Sequence, residues 1–168
     1  MMEPTRWSDL LRQWVPGYAG YADRQHRRAC ETAYRQYLAD QVSALQPPLD
    51  RVIRALADQG KVIEVLPLER TRQRLADIEQ KIRTTDYASS AFFEGTVLEE
   101  TALDRLYQYD LVLIEQVRDL HRQIEQFERG HPSQEDLVAG ETLEAAAVAL
   151  SAEFEQRTDL IRTWTWSE

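Results

Sequence analysis

Two charged residues occupy positions of long predicted helices where the spacing calls for an apolar side chain that packs against neighbouring helices. We call such a line of apolar positions the seam of the helix. Between residues 98 and 127 apolar side chains recur in steps of three, four and seven, and Asp110 fills the gap in one seven-residue step. Arg157 occupies a seam position of the last helix in the same way. A charge in a seam is costly unless it is paired or hydrogen-bonded. We therefore expect Asp110 and Arg157 to form a buried polar network that fixes helix register.

The register of this pair is imperfect, so other partners remain open. A symmetric hairpin centred near residue 131 puts Arg157 about 8 Å along the axis from the position opposite Asp110. Arg72, Arg74 or the hydroxyl of Tyr34 could bind the carboxylate instead. Two further alternatives are a ligand-binding or catalytic role for Asp110 and a carboxylate that turns to solvent.

A second group of chemically capable residues lies near the start of the second predicted helix. Asp23, His26 and Cys30 could share one helix face, and their side chains are of types that bind transition metals. A di-metal bundle site needs two Glu-x-x-His pairs on separate helices, and the sequence does not provide them. Cys30 falls on a seam, which predicts an inert buried thiol. We expect no metal, no cofactor and no catalytic residue.

The segment around residues 14–28 combines aromatic rings with clustered positive charge. Aromatic and arginine side chains dominate the hot spots of protein interfaces. A four-helix core already has enough apolar side chains without all of these rings, which predicts that some of them form a partner-binding surface. Alternatively, the rings could seal the end of the bundle. The candidate residues are Trp7, Trp14, Tyr18, Tyr21, Arg24, Arg27 and Arg28.

The elements that must position these residues are all predicted helices. A short first helix ends before Pro16, and a second runs from near Ala22 to Gly60. Pro47 and Pro48 interrupt the second helix without changing its apolar phase, which predicts a kink or an immediate restart. A third helix opens at Pro67 and ends near residue 86.

Two longer helices complete the prediction. Thr96 and Glu99 form a capping box for the fourth, which ends at Gly130, and Ser133 starts the fifth. Aromatic rings in the loop at residues 87–95 are expected to plug one end. The predicted architecture is an all-α antiparallel four-helix bundle, with the short N-terminal helix packed at one end and a Pro-Pro kink in the second long helix. Residues 1–168 are expected to form a single domain.

The charge and residue composition of the chain argues against some classes of function. The chain has 168 residues and a net charge of −9. Residues 94–168 carry 6 basic against 17 acidic side chains, whereas residues 1–93 carry 14 against 12. Such an acidic half argues against a nucleic-acid binder, which must neutralise many phosphates. A single cysteine and the absence of a long apolar run predict a cytoplasmic protein.

Three strings in the chain resemble those of uncharacterised bacterial all-helical proteins. They are VPGYAGYADRQHRR, TTDYASSAFFEG and LDRLYQYD, of which the first follows a VPGYxGY-like and the third an LDRLYxxD-like pattern. The resemblance implies a bacterial origin and brings no activity with it.

The sequence as a whole predicts a non-enzymatic protein that acts through protein–protein contacts. Its partner would be another protein or a second copy of itself, as in an adaptor, scaffold or homo-oligomer. One alternative is a peripheral membrane protein that uses the face formed by Trp7, Leu10, Leu11 and Trp14. The other is a metal- or ligand-dependent enzyme built around Asp110 or His26.

Overall fold

The computed structural model of the chain is all-helical and describes residues 4–87, 90–130 and 134–164. These residues contain no strand, and a short 3₁₀ turn, Arg24–His26, precedes the second helix. The helices are α1 (Pro4–Trp14), α2 (Arg27–Ser43), α3 (Gln46–Asp58), α4 (Val62–Thr84), α5 (Glu100–Gly130) and α6 (Asp136–Thr163).

The second predicted helix is two helices in the structure. It begins at Arg27 rather than near Ala22, because Asp23 caps the 3₁₀ turn by accepting a hydrogen bond from the Gln25 N–H at 3.0 Å. Pro47 and Pro48 lie in the first turn of α3, where a missing N–H leaves no helical bond broken. The two prolines therefore begin a helix instead of kinking one.

The apolar seam nevertheless continues across the break. Ala44 and Leu45 keep right-handed helical dihedral angles, with φ of −65° and −75°. The buried side chains therefore follow one another from α2 into α3 without a change of face: Leu38, Val42, Leu45, Leu49, Val52 and Leu56.

Three other predicted helix starts differ from the structure. Pro67 lies inside α4, which begins five residues earlier at Val62. Thr96 does not cap α5, which begins at Glu100, and the Thr96 hydroxyl is buried without a hydrogen-bond partner. Ser133 lies outside the described residues, and α6 begins at Asp136.

Cross-helix contacts give the directions of neighbouring helices. Lys61–Asp136, Arg70–Glu144 and Lys81–Glu155 join α4 to α6 at sequence separations of 75, 74 and 74. A constant separation means that α4 and α6 run parallel. Arg51–Glu128 and Tyr34–Asp110, with separations of 77 and 76, show the same for α2 and α3 against α5. Two helical hairpins, α2–α3–α4 and α5–α6, therefore lie side by side and point the same way.

This arrangement differs from a bundle in which every helix packs on its neighbours in sequence. In the described part of the chain α4 packs closely on α6, α2 and α3, whereas α5 packs on α6, α1, α2 and α3. The connection from α4 to α5, of which residues 85–87 and 90–99 are described, must therefore cross the end of the molecule, and we call it the crossing loop. Its Phe92 is fully buried and stacks on Trp164 with ring centroids 5.0 Å apart. The aromatic rings of this loop fill that end, as the sequence predicts.

No helix in the described ranges is both long enough and apolar enough to cross a lipid bilayer.

Candidate functional site

Asp110 is completely buried in the middle of a hydrogen-bonded cluster. Its Oδ1 accepts a hydrogen bond from Arg157 Nε at 2.6 Å. Its Oδ2 accepts two, from the hydroxyls of Tyr18 at 2.8 Å and Tyr21 at 2.7 Å. The backbone carbonyl of Asp110 accepts a fourth from the Tyr34 hydroxyl at 2.9 Å. Both oxygens of the carboxylate are therefore occupied by protein donors.

Arg157, also fully buried, connects this carboxylate to a second one. Its Nη1 donates to the hydroxyl of Tyr87 at 2.8 Å and lies 3.4 Å from Glu31 Oε1. Tyr87 donates to the same Glu31 oxygen at 2.5 Å. Arg35 Nε lies 2.8 Å from Glu31 Oε1 and is the outermost member of the series. Two carboxylates and two guanidiniums therefore alternate, and their charges cancel.

Burial and neighbouring charges shift the titration of these groups. Burial raises the pKa of Asp110, and the charge and hydrogen bond of Arg157 oppose that shift. Burial alone would lower the pKa of Arg157, but Asp110 and its other neighbours raise it well above its usual range. Burial, with the Asp110 charge beside them, raises the pKa of Tyr18, Tyr21 and Tyr34 well above normal. The phenols therefore stay protonated as donors.

The members of this buried network come from five parts of the chain. Helices α2, α5 and α6 supply the charged groups, while the turn after α1 and the crossing loop supply phenols. The residues are Tyr18, Tyr21, Glu31, Tyr34, Tyr87, Asp110 and Arg157. The network therefore links the two hairpins to each other and to the turn after α1 and the crossing loop, which cover their end.

A glycine lets the turn after α1 reach this network. Gly20 has a φ of +89°, and a Cβ there would lie 3.1 Å from the Tyr107 hydroxyl. That hydroxyl accepts a hydrogen bond from the Tyr21 N–H at 2.8 Å. Residue 20 must therefore be small and left-handed for Tyr21 to reach Asp110.

Three residues of the predicted partner-binding surface lie inside the molecule. Tyr18, Tyr21 and Arg27 are 4%, 0% and 2% exposed. The expectation that the two tyrosines are surplus to the core is wrong, because their hydroxyls bind Asp110 and their rings pack against each other at 5.5 Å. Arg27 donates to the carbonyl oxygens of Tyr21, Phe92 and Thr96, which joins the turn after α1 to the crossing loop.

The other four predicted residues stay nearer the surface. Trp7 and Trp14 are half-buried and pack against the core. Arg24 and Arg28 are exposed. Arg24 donates to the Gly95 carbonyl at 3.2 Å, whereas Arg28 lies over the Phe93 ring at 4.8 Å. The seven residues thus do not share one accessible surface.

The structure also shows where the residues of two alternatives lie: the membrane-facing surface of α1 and the metal site around His26. In the apolar face of α1, Leu11 is fully buried, whereas Trp7, Leu10 and Trp14 are partly buried. His26 Nδ1 lies 2.7 Å from Asp23 Oδ2 and both side chains are 61% exposed, whereas Cys30 is buried. The three residues do not share a face, and the described residues contain no group of three side chains that could hold a metal ion. Burial raises the pKa of the Cys30 thiol to about 12.

Glu31 and Tyr87 are the network members that sequence reasoning missed. Glu31 follows a seam position directly, and it lies four residues after the buried Arg27 and four before Arg35. This spacing places all three on one face of α2, which was the available signal. Tyr87 lies in a loop without periodicity, so no pattern indicated its partner.

Comparisons of the chain with known protein families, with curated proteins and with solved structures found no match.

Proposed function

We propose that this chain is a non-enzymatic helical protein that acts through protein–protein contacts, as an adaptor, a scaffold or a homo-oligomer component. We further propose that α2 and α3 together serve as one rod of a four-helix bundle, completed by α4, α5 and α6. Helix α1 packs against α5.

The interior charges support a structural role for the buried network. Asp110, Arg157 and Glu31 are at most 2% exposed, and they bind one another or nearby phenols. A group that acts on a substrate must be reachable, whereas these groups are enclosed and mutually satisfied. Their arrangement favours a scaffold over a reaction centre.

The observation that carries the proposal is an exposed apolar surface at the start of α4. Val62, Ile63 and Leu66 are 67%, 64% and 51% exposed, and their spacing puts them on one side of the helix. Among the described residues most of the large apolar side chains are buried, and the mean hydropathy of the chain is −0.54. Adjacent exposed apolar side chains commonly mark a contact with another protein. We call these three residues the α4 apolar surface.

The test compares association of the wild type with that of a variant carrying Ile63→Glu and Leu66→Glu. Because both side chains are exposed, the substitutions should leave the helical circular dichroism unchanged. A matched control is Val97→Glu, since Val97 is 73% exposed and lies outside the helices. We expect the wild type and the control to self-associate in sedimentation equilibrium, or to capture the same protein from the native cell.

The double variant should lose that association. If all three proteins are monomeric and capture the same proteins, the α4 apolar surface is not the contact and the proposal fails.

A further inference from the structure

A cleft of about 450 Å³ lies between the α2–α3 junction and the middle of α5. It is lined by the core residues Leu45 and Val117, which are 1% and 4% exposed, and by Gln41 and Ala44 at the end of α2. Arg118, His121 and Arg122 line it from α5. The cleft thus combines an apolar interior with a basic edge, in a chain whose net charge is −9.

Arg118 differs from the other basic groups of this edge. Its Cζ lies 3.8 Å from the centroid of the Trp14 ring, and within the described part of the chain that ring is its partner. Arg122 forms an ion pair with Asp119, and His121 Nε2 lies 3.5 Å from Glu125. A guanidinium stacked on an indole is held in place and keeps its in-plane N–H donors available. Arg118 is therefore oriented and has no acidic partner among the residues that the structure describes.

These features define what the cleft can bind. Its volume lies in the range of small-molecule sites, of roughly 300 to 1,000 Å³. The planar donors of an arginine match a carboxylate, which can accept two parallel hydrogen bonds. The apolar wall suits a hydrocarbon body, which gains from leaving water.

We propose that this cleft binds a small anionic amphiphile, a carboxylate attached to an aliphatic or aromatic body. The carboxylate pairs with Arg118 at the edge, and the apolar body lies against Leu45 and Val117. Arg122 and His121, which pair with Asp119 and Glu125, line the same edge. A cationic amphiphile of the same length meets the same apolar wall but is repelled by Arg118.

The probes are decanoate and decyltrimethylammonium, both kept below their micelle concentrations and titrated by calorimetry. We expect decanoate to bind at one molecule per chain and the cation to bind at least tenfold more weakly. The indole N–H signal of Trp14 in a nitrogen–proton spectrum should shift with decanoate, because Arg118 lies on that ring. Stoichiometric binding of both probes with equal affinity would overturn the assignment to an anion.

Two variants locate the binding. Arg118→Gln should weaken decanoate binding at least tenfold, whereas Arg54→Gln, at an exposed arginine of α3, should leave it unchanged. Ala44→Phe fills the cleft and keeps Arg118, so it should also abolish binding. Thermal melts establish that each variant is folded. Absence of decanoate binding by the wild type, or undiminished binding by folded Arg118→Gln and Ala44→Phe, would refute the proposal. Neither result bears on the α4 apolar surface.

Discussion

At the scale of single residues, the buried network depends on complete hydrogen bonding of Asp110. The carboxylate has one guanidinium and two phenols as donors, and it is fully excluded from solvent. Removing a charged group from water costs several kcal/mol, which only close partners can offset. A buried pair of this kind therefore adds little net stability while it is intact, but it is costly to break.

Asp110→Asn should lower the free energy of unfolding by about 3–5 kcal/mol, because it leaves the Arg157 guanidinium without its closest counter-charge. Urea unfolding followed by circular dichroism measures this loss. Arg51→Gln is the control, since it breaks the exposed pair with Glu128 and should cost at most about 1 kcal/mol. The double substitution Asp110→Leu and Arg157→Met removes both charges but leaves the buried hydroxyls of Tyr18 and Tyr21 without their acceptor, so it should recover only part of the loss. A change below about 1 kcal/mol for Asp110→Asn would contradict this account of the network.

The phenols of the network predict a loss of stability in alkali. The pKa of Tyr18, Tyr21 and Tyr34 is raised by burial in the folded protein, whereas unfolded phenols ionise near pH 10. The folded state therefore holds more protons above that pH, so its stability is complete below about pH 10 and falls as the pH rises further. Tyrosinate absorbance at 295 nm should show a late step that coincides with loss of helical circular dichroism. Gradual ionisation of every phenol without unfolding would show that these rings reach solvent.

The sequence could indicate part of this site. Seam positions identified Asp110 and Arg157, and the structure joins them although the expected register was imperfect. The reason is that α6 begins at Asp136 rather than at Ser133, so the longer turn brings Arg157 level with Asp110. The phenols of Tyr18 and Tyr21 could not be assigned, because a turn set by Gly17 and Gly20 has no helical period from which side-chain direction can be derived.

At the scale of the elements, the helix ends depend on tertiary contacts as much as on local signals. Helix α4 continues through Pro67, which a local rule places at a helix start. The Pro67 ring lies against Gly140 of α6, where an added Cβ would come within 2.9 Å of Pro67 Cγ. Close packing between α4 and α6 thus contributes to keeping a proline inside a helix, and such contacts cannot be read from one segment of sequence.

Gly140→Ala should therefore destabilise the protein by about 1–3 kcal/mol, because the added methyl group forces the Pro67 ring and α4 to shift. The same substitution in an unconstrained helix stabilises by up to about 1 kcal/mol. Gly130→Ala is the matched control, since nothing lies within 4 Å of a Cβ at that position. Thermal and urea unfolding of both variants measure the difference. Equal stability of the two would mean that α4 and α6 separate easily at this point.

At the scale of the whole molecule, two hairpins that point the same way need a long connection. The turn at Gly60 and the turn between α5 and α6 lie at one end, where Lys61 pairs with Asp136 at 2.8 Å. The connection over residues 85–99 crosses the other end, which also contains the turn after α1. The buried network lies at that second end. Helical periodicity predicts the helices and their apolar faces, but it contains no information on which faces meet, and so the parallel neighbours were not foreseen.

The parallel arrangement of α4 and α6 can be tested directly, because the chain contains two lysines, of which Lys61 immediately precedes α4 and Lys81 lies in its last turn. Lys61 pairs with Asp136 and Lys81 with Glu155. A zero-length carbodiimide reagent should therefore join these two pairs, and mass spectrometry of the digested protein should identify both linkages. Protein unfolded in urea is the control and should lose them. Antiparallel helices would exchange the partners, linking Lys61 near Glu155 and Lys81 near Asp136, and that pattern would overturn the directions assigned to the two hairpins.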